Sequence, residues 1–348
     1  MSGIASFKDK LEGFYAQFGT IINICVRFLI ALVVFLAINR EIGGSTFFTN
    51  IFVILIMALL SSILNLKAVL FFAAVLTFGN CMSFGIDIAA ISLVLMLLLW
   101  VIFVIFVPDE AHAVIFAPLG ILLGIPAFVP VAYGLKRTPA SIAAVWAGII
   151  MHYFIAALGA NAGAIIATET GEYMTRITLI SGAMTKNGEL VANLIASAII
   201  IIIVYAIRSM SADHSWQIAA VTGVVIYVVI AVLAAIAVGE GANFIKVGLG
   251  AAVSLVLAFV FLIFVHNVDY KNSESYSFED DDYYYYVKAI PKVKAMAGPN
   301  TDETLHADRM EPDVDMDMET GPISDYTEDI LPEAENLEKK LEDTLKEW

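Results

Sequence analysis

Few side chains in this sequence combine a reactive type with a spacing that could do chemistry. Asp109-Glu110-Ala111-His112 spells a string that handles magnesium and nucleotide in helicases. That chemistry also needs a phosphate-binding loop, and no G-x-x-x-x-G-K-[ST] occurs in the chain. The string therefore reads as a charged turn between two apolar runs. The acidic run Asp313-Val314-Asp315-Met316-Asp317-Met318-Glu319 invites comparison with a calcium loop. An EF-hand needs Gly at its sixth position and Glu at its twelfth. Counted from Asp313 those positions hold Met318 and Ser324, and from Asp315 they hold Thr320 and Tyr326. The match fails, and a solvated acidic stretch is the better reading.

Cys25 and Cys81 lie in apolar runs without metal-ligand spacing, and His112, His214, His266 and His306 are scattered. No Ser/His/Asp or Cys/His constellation is visible. These observations lead us to expect no catalytic residue, no metal, no cofactor and no enzymatic activity.

Two features remain. His152 sits near the centre of an apolar run at 140–161, beside Tyr153 and ahead of Asn161. An ionisable group at such depth is costly and faces a cavity or a partner. It reads either as a ligand-binding or proton-sensitive group, or as a neutral imidazole bonded to a neighbouring helix. The second feature is the run at 113–135, broken by Pro118, Pro126 and Pro130 and loosened by Gly120, Gly124 and Gly134. Each proline removes a backbone donor and disfavours helix in the residue before it. Pro118, Gly124, Pro126, Pro130, His152 and Asn161 are thus the candidates for lining a substrate path.

The elements that must position these residues follow from composition. The 348 residues are 60% hydrophobic and 15% charged, with mean hydropathy +0.84. A soluble domain has roughly 45–50% apolar and about 25% charged residues. An ordinary soluble enzyme, a disordered chain and a nucleic-acid binder are all poor fits. Residues 1–267 carry 11 acidic and 11 basic side chains, and residues 268–348 carry 23 and 8. The whole net charge of −15 therefore belongs to the last 81 residues. Such a segment repels phosphate backbones, so no nucleic-acid partner is expected.

Crossing the hydrocarbon as a helix takes about 20 apolar residues. Nine runs approach that length, at 21–38, 47–64, 67–84, 87–107, 113–135, 140–161, 190–207, 216–238 and 244–266. They lack strict alternation, so helices rather than barrel strands are expected. Before them, Ile4, Phe7, Leu11, Phe14 and Phe18 recur at helical spacing, which predicts an interfacial amphipathic helix over 1–20. The stretch 162–189 reads as a loop or an interfacial helix. Gly159-x-x-x-Gly163 allows close helix packing, a weak signal. Asn80, Ser83 and Asp87 read as caps at a bend within 67–107.

Loop charges set the topology. With Lys8 and Lys10 cytoplasmic and nine crossings, Lys136-Arg137 and the tail fall outside. If 113–135 enters and leaves on one face, Lys67, Lys136, Arg137, Arg208 and the tail all become cytoplasmic. We therefore expect an all-α polytopic transmembrane bundle over 21–267, with eight spans plus a re-entrant Pro/Gly hairpin, or nine spans, and both termini cytoplasmic.

Beyond the bundle, 268–296 is acidic and rich in tyrosine, and 297–331 reads as a disordered acidic linker. Residues 332–348 read as a short amphipathic helix with the stripe Leu337, Leu341, Leu345 and Trp348. The run through Phe278, Tyr283, Tyr284, Tyr285 and Tyr286 has high strand propensity. It packs on its own bundle or adds a strand to a partner, and together with the terminal stripe it forms the candidate docking surface.

Ile38-Asn39-Arg40-Glu41, the Ala117-Pro118 … Gly124-Ile125-Pro126 … Val129-Pro130 … Gly134-Leu135 hairpin and the tail FEDDDYYYYVKAIPK together resemble a multi-pass membrane family of anaerobic Gram-positive bacteria, over roughly residues 1–295. The resemblance implies a location in the bacterial cytoplasmic membrane and no particular activity. Two functions follow from the sequence. The first is an integral membrane scaffold, a subunit of a larger homo- or hetero-oligomeric complex that docks a cytoplasmic protein through its tail. The second is a permease-like transporter or channel for a small solute that uses the hairpin at 113–135. The scarcity of polar groups in the spans tips the sequence reading toward the scaffold, with membrane lipid and a cytoplasmic protein as partners.

Overall fold

In hydrocarbon a backbone must satisfy its own hydrogen bonds, so the apolar runs form helices. The computed structural model describes residues 2–64, 66–106, 110–168, 172–210, 212–238, 244–265, 274–279 and 284–289. The helices are α1 (Ser2–Ile42), α2 (Ile51–Leu64), α3 (Leu66–Cys81), α4 (Ile86–Phe106), α5 (Ala111–Leu122), α6 (Phe128–Lys136), α7 (Ile142–Ala167), α8 (Tyr173–Thr185), α9 (Gly188–Arg208), α10 (Ser215–Val238) and α11 (Phe244–Val265). Among the described residues, five helical stretches are long and apolar enough to cross a membrane: Gln17–Ile42, Pro139–Ala167, Gly188–Arg208, Ser215–Ala237 and Phe244–Val265. Four apolar stretches are shorter: Ile51–Leu64, Leu66–Cys81, Ile86–Val101 and His112–Leu122.

Several elements differ in detail from the sequence reading. The amphipathic stretch 1–20 and the run at 21–38 form one unbroken helix of 41 residues, because no proline interrupts them. The stretch 162–189 is partly a continuation of α7 and partly the separate helix α8. The tyrosine run is a strand, but its partner lies in the same chain. β1 (Glu274–Glu279) pairs antiparallel with β2 (Tyr284–Ala289), with Phe278 opposite Tyr285 and Tyr276 opposite Val287. Tyr283, the segment 297–331 and the stripe Leu337, Leu341, Leu345 and Trp348 lie outside the described residues.

The apolar core has two main clusters. One joins α1, α2, α3 and α4 to α7 through Phe35, Ile54, Leu76, Ile88 and Phe154. The other joins α6, α9, α10 and α11 through Val131, Ile200, Ala220 and Ala258. A third, built on α5, α6, α7 and α9, stands between them. The proline-broken segment thus belongs to the joint of the bundle.

Polar contacts tie the helix ends. At one end Asn80 Nδ2 donates to Asn39 Oδ1 at 2.6 Å, Asn39 Nδ2 donates to Phe48 O at 2.8 Å, and Ser45 N donates to Asn80 Oδ1. Asn80 is fully buried. It therefore couples α1 to α3 and does not cap a helix. Nearby, Arg176 of α8 donates to Asp87 Oδ1 at 3.2 Å, to Phe84 O at 3.2 Å and to Thr168 O at 3.0 Å. Gly85, at φ +140°, leaves the space this pair needs, since a β-carbon there would crowd both Asp87 and Arg176.

At the opposite end, Arg137 Nε lies 3.4 Å from Glu110 Oε1. Residue 110 precedes α5 and residue 137 follows α6, so this ion pair brings the two ends of the broken segment together. Arg208, the last residue of α9, donates to Leu135 O and Arg137 O. A cation is thereby set on the C-terminal carbonyls of α6, where it opposes the negative end of the helix dipole. The Arg208 guanidinium also lies over the rings of Tyr205 and Trp216.

Glu110→Arg should lower the melting temperature in detergent by about 2–6 °C, taking roughly 1–2 kcal/mol for the lost and reversed pair. The swapped pair Glu110→Arg/Arg137→Glu should recover at least half of that loss. Equal losses in the single and double variants would mean that the two side chains are not coupled.

Candidate functional site

α5 and α6 are separated by a turn at 123–127 with Gly124 at φ +73°, a left-handed conformation that favours glycine. The turn is closed by Ile125 N donating to Gly120 O at 2.8 Å and by Gly124 N donating to Ile121 O at 3.0 Å. Gly124 O accepts no hydrogen bond among the described residues. It is covered instead by Gly250 of α11, where a β-carbon would collide with it. Pro118, inside α5, has no N–H to give Val114 O. Gly148 of α7 packs on that carbonyl, and a β-carbon there would lie 2.8 Å from Val114 O and 2.9 Å from Pro118 Cδ.

Behind the turn a small void of about 10 Å³ lies where α5, α6, α7, α9 and α10 meet. Its walls include Ala117, Pro126, Pro130, Ile149 and Ile200, and its polar members are Asn193, Ser197 and Tyr227. That volume is on the order of what one water molecule needs. Asn193 Nδ2 donates to Tyr153 Oη at 2.8 Å and to Glu189 O at 3.0 Å. Ser197 Oγ donates to Leu194 O at 2.9 Å, and Tyr153 is buried. The groups are an amide, a hydroxyl and two phenols, all neutral donors and acceptors. They suit binding and passing a small polar group more than making or breaking bonds.

A second space lies on the other side of α5. It is a groove of about 790 Å³ walled by α1, α3, α4, α5 and α7. Its lining is apolar apart from Glu41, Lys67, Thr77 and His152. His152 is half-buried on the α7 wall, its ring edge-on to Tyr153 at 5.2 Å between centroids. Among the described residues no group of three His, Cys, Asp or Glu side chains converges as metal ligands do.

Of the path candidates, Pro126 and Pro130 line the central void, Pro118 and His152 line the groove, and Gly124 forms the turn above the void. Asn161 is brought to neither space, because its side chain donates to Ala157 O one turn back. Phe278, Tyr284, Tyr285 and Tyr286 fall in the β-hairpin, with Tyr284 exposed. Asn193, Ser197, Tyr227 and Lys67 were not singled out from the sequence. Asn193 and Ser197 do carry a readable signal: they are polar, four apart, in the otherwise aliphatic stretch Leu190–Val204 of α9. No family model, curated protein or solved structure matches this chain.

Gly250→Ala should push α11 off the turn and cost about 1–3 kcal/mol, as overpacking does. Gly248→Ala, whose β-carbon meets nothing within 4 Å, should stay within about 0.5 kcal/mol. Chemical denaturation of the two variants side by side checks this, and equal stabilities would remove the contact between α11 and the hairpin.

Proposed function

We propose that this chain is a permease-like protein of the bacterial cytoplasmic membrane, whose α5–α6 hairpin re-enters from the cytoplasmic face and lines a path for a small polar solute. The carrying observation is the broken helix pair itself, with its ends joined by Glu110 and Arg137 and its turn resting beside the Asn193, Ser197 and Tyr227 void. Discontinuous helices at mid-depth are the usual means by which a membrane protein offers backbone and neutral side-chain ligands without an intramembrane carboxylate.

In this reading α1, α2, α3, α4, α7, α9, α10 and α11 are eight spans, and α8 lies at the outer face. The short spans α2 and α3 then cross where the bilayer thins. Lys8, Lys10, Lys67, Lys136, Arg137, Arg208 and the chain after 265 share the cytoplasmic side, as the positive-inside rule requires. The contacts of Arg137 with Glu110 and of Arg208 with the end of α6 support this assignment. The bacterial membrane itself follows from the resemblance of residues 1–295.

The sequence alone favours a scaffold; the void and the groove beside the hairpin are what support the permease reading. The scaffold reading keeps one observation in its favour. β1 and β2 form a two-stranded hairpin, which is marginal by itself. A cytoplasmic protein that covers the hairpin would make the chain a complex subunit.

The test uses the full chain with Cys25 and Cys81 changed to alanine. Ser197→Cys should react with a small water-soluble methanethiosulfonate in native membranes, because turnover must open the void to water. Ile195→Cys, on the exposed face of α9, should stay unreactive in lipid. Absence of reaction at 197 from both sides would overturn the permease. Survival of the labelling after deletion of 268–348 separates this reading from the scaffold, whose function resides in that segment.

A further inference from the structure

We propose that the groove beside α3 is a lipid site, seating an acyl chain of an anionic phospholipid whose phosphate is held by Lys67. α2 and α3 have 14 and 16 residues, so they rise about 21 and 24 Å, against about 30 Å of hydrocarbon. α4 has 21 residues, or about 31 Å. The Asn39–Asn80 bond aligns the ends of α1 and α3, and α4 starts from that same end. The Leu66 end of α3 therefore stops short of the Phe106 end of α4. Lipid must thin or bend inward there.

Lys67 stands in the first turn of α3, at this recess. It is exposed and makes no ion pair among the described residues. A cation placed below the membrane surface without an acidic partner is complementary to a phosphate drawn in by the short helices. The groove begins beside it. Ala37, Ala73, Ala74 and Ala147 leave the space, and its volume of about 790 Å³ falls in the range of ligand sites. Phe71 and Trp100 line it and are themselves exposed, so it opens sideways into lipid. Glu41 at the far end repels a phosphate, which fixes the orientation with the head at Lys67. A zwitterionic lipid would bring its own ammonium against the lysine, so the occupant is anionic.

The experiment is native mass spectrometry of the full chain released from vesicles of equal phosphatidylglycerol and phosphatidylethanolamine. The wild-type chain should keep one phospholipid, with phosphatidylglycerol favoured about fivefold, the preference one lysine near a surface supplies. Lys67→Gln should bring that preference close to unity. Ala73→Phe, which fills the groove, should lose the bound lipid, while Val229→Phe on the exposed face of α10 should keep it. Equal retention of both lipids by the wild-type chain, or an unchanged preference in Lys67→Gln, would overturn the site and leave only ordinary boundary lipid. Lys67→Gln lies at an exposed position and leaves the core untouched, so this arm holds even where Ala73→Phe does not fold. Reactivity at Ser197 is independent of all these outcomes.

Discussion

Hydrocarbon offers a peptide carbonyl no hydrogen-bond partner, and this bundle depends on how it covers the carbonyls that its broken and ending helices release. Pro118 frees Val114 O, and Gly148 of α7 packs on it. The turn frees Gly124 O, and Gly250 of α11 packs on it. At the end of α1, Gly159 of α7 packs on Glu41 O. In each case a glycine lets one backbone approach another, leaving no room for a side chain between them. The same contacts fix where α7 and α11 cross the hairpin and α1. Helix placement and backbone satisfaction are one problem here.

That solution positions the candidate site. With α11 against the turn and α7 against α5, the space among α5, α6, α7, α9 and α10 narrows to about the volume of one water, faced by neutral polar groups. On the other side of α5 the short helices α2 and α3 leave a groove open to lipid. A polar path and a lipid site can thus share one hairpin without sharing residues: Pro126 and Pro130 face the first space, Pro118 the second.

The sequence displayed the helices well, because each apolar run stands alone and lipid forces it to be helical. The proline-broken segment was legible for the same reason: three prolines and three glycines in 23 residues cannot form a plain span. Pairwise contacts were not. Nothing local in Asn39 and Asn80, or in Asp87 and Arg176, tells that residues 41 and 89 positions apart meet, and both Asn80 and Asp87 looked like caps. The Gly159-x-x-x-Gly163 motif was half informative, since Gly159 meets α1 while Gly163 meets nothing within 4 Å. Tyrosine strand propensity pointed to a strand packed on its own bundle or added to a partner, but not to its pairing with Glu274–Glu279, whose two serines and two glutamates hardly resemble a strand.

The central claim is that α5 and α6 turn back within the membrane, so that residues 112 and 138 lie on one side. Paired spin labels at those two positions in lipid nanodiscs measure it most directly. The account gives a separation below about 20 Å, whereas one straight helix over the same stretch would hold the labels about 39 Å apart. A distribution centred near the longer distance would contradict the hairpin, and with it the path built around its turn.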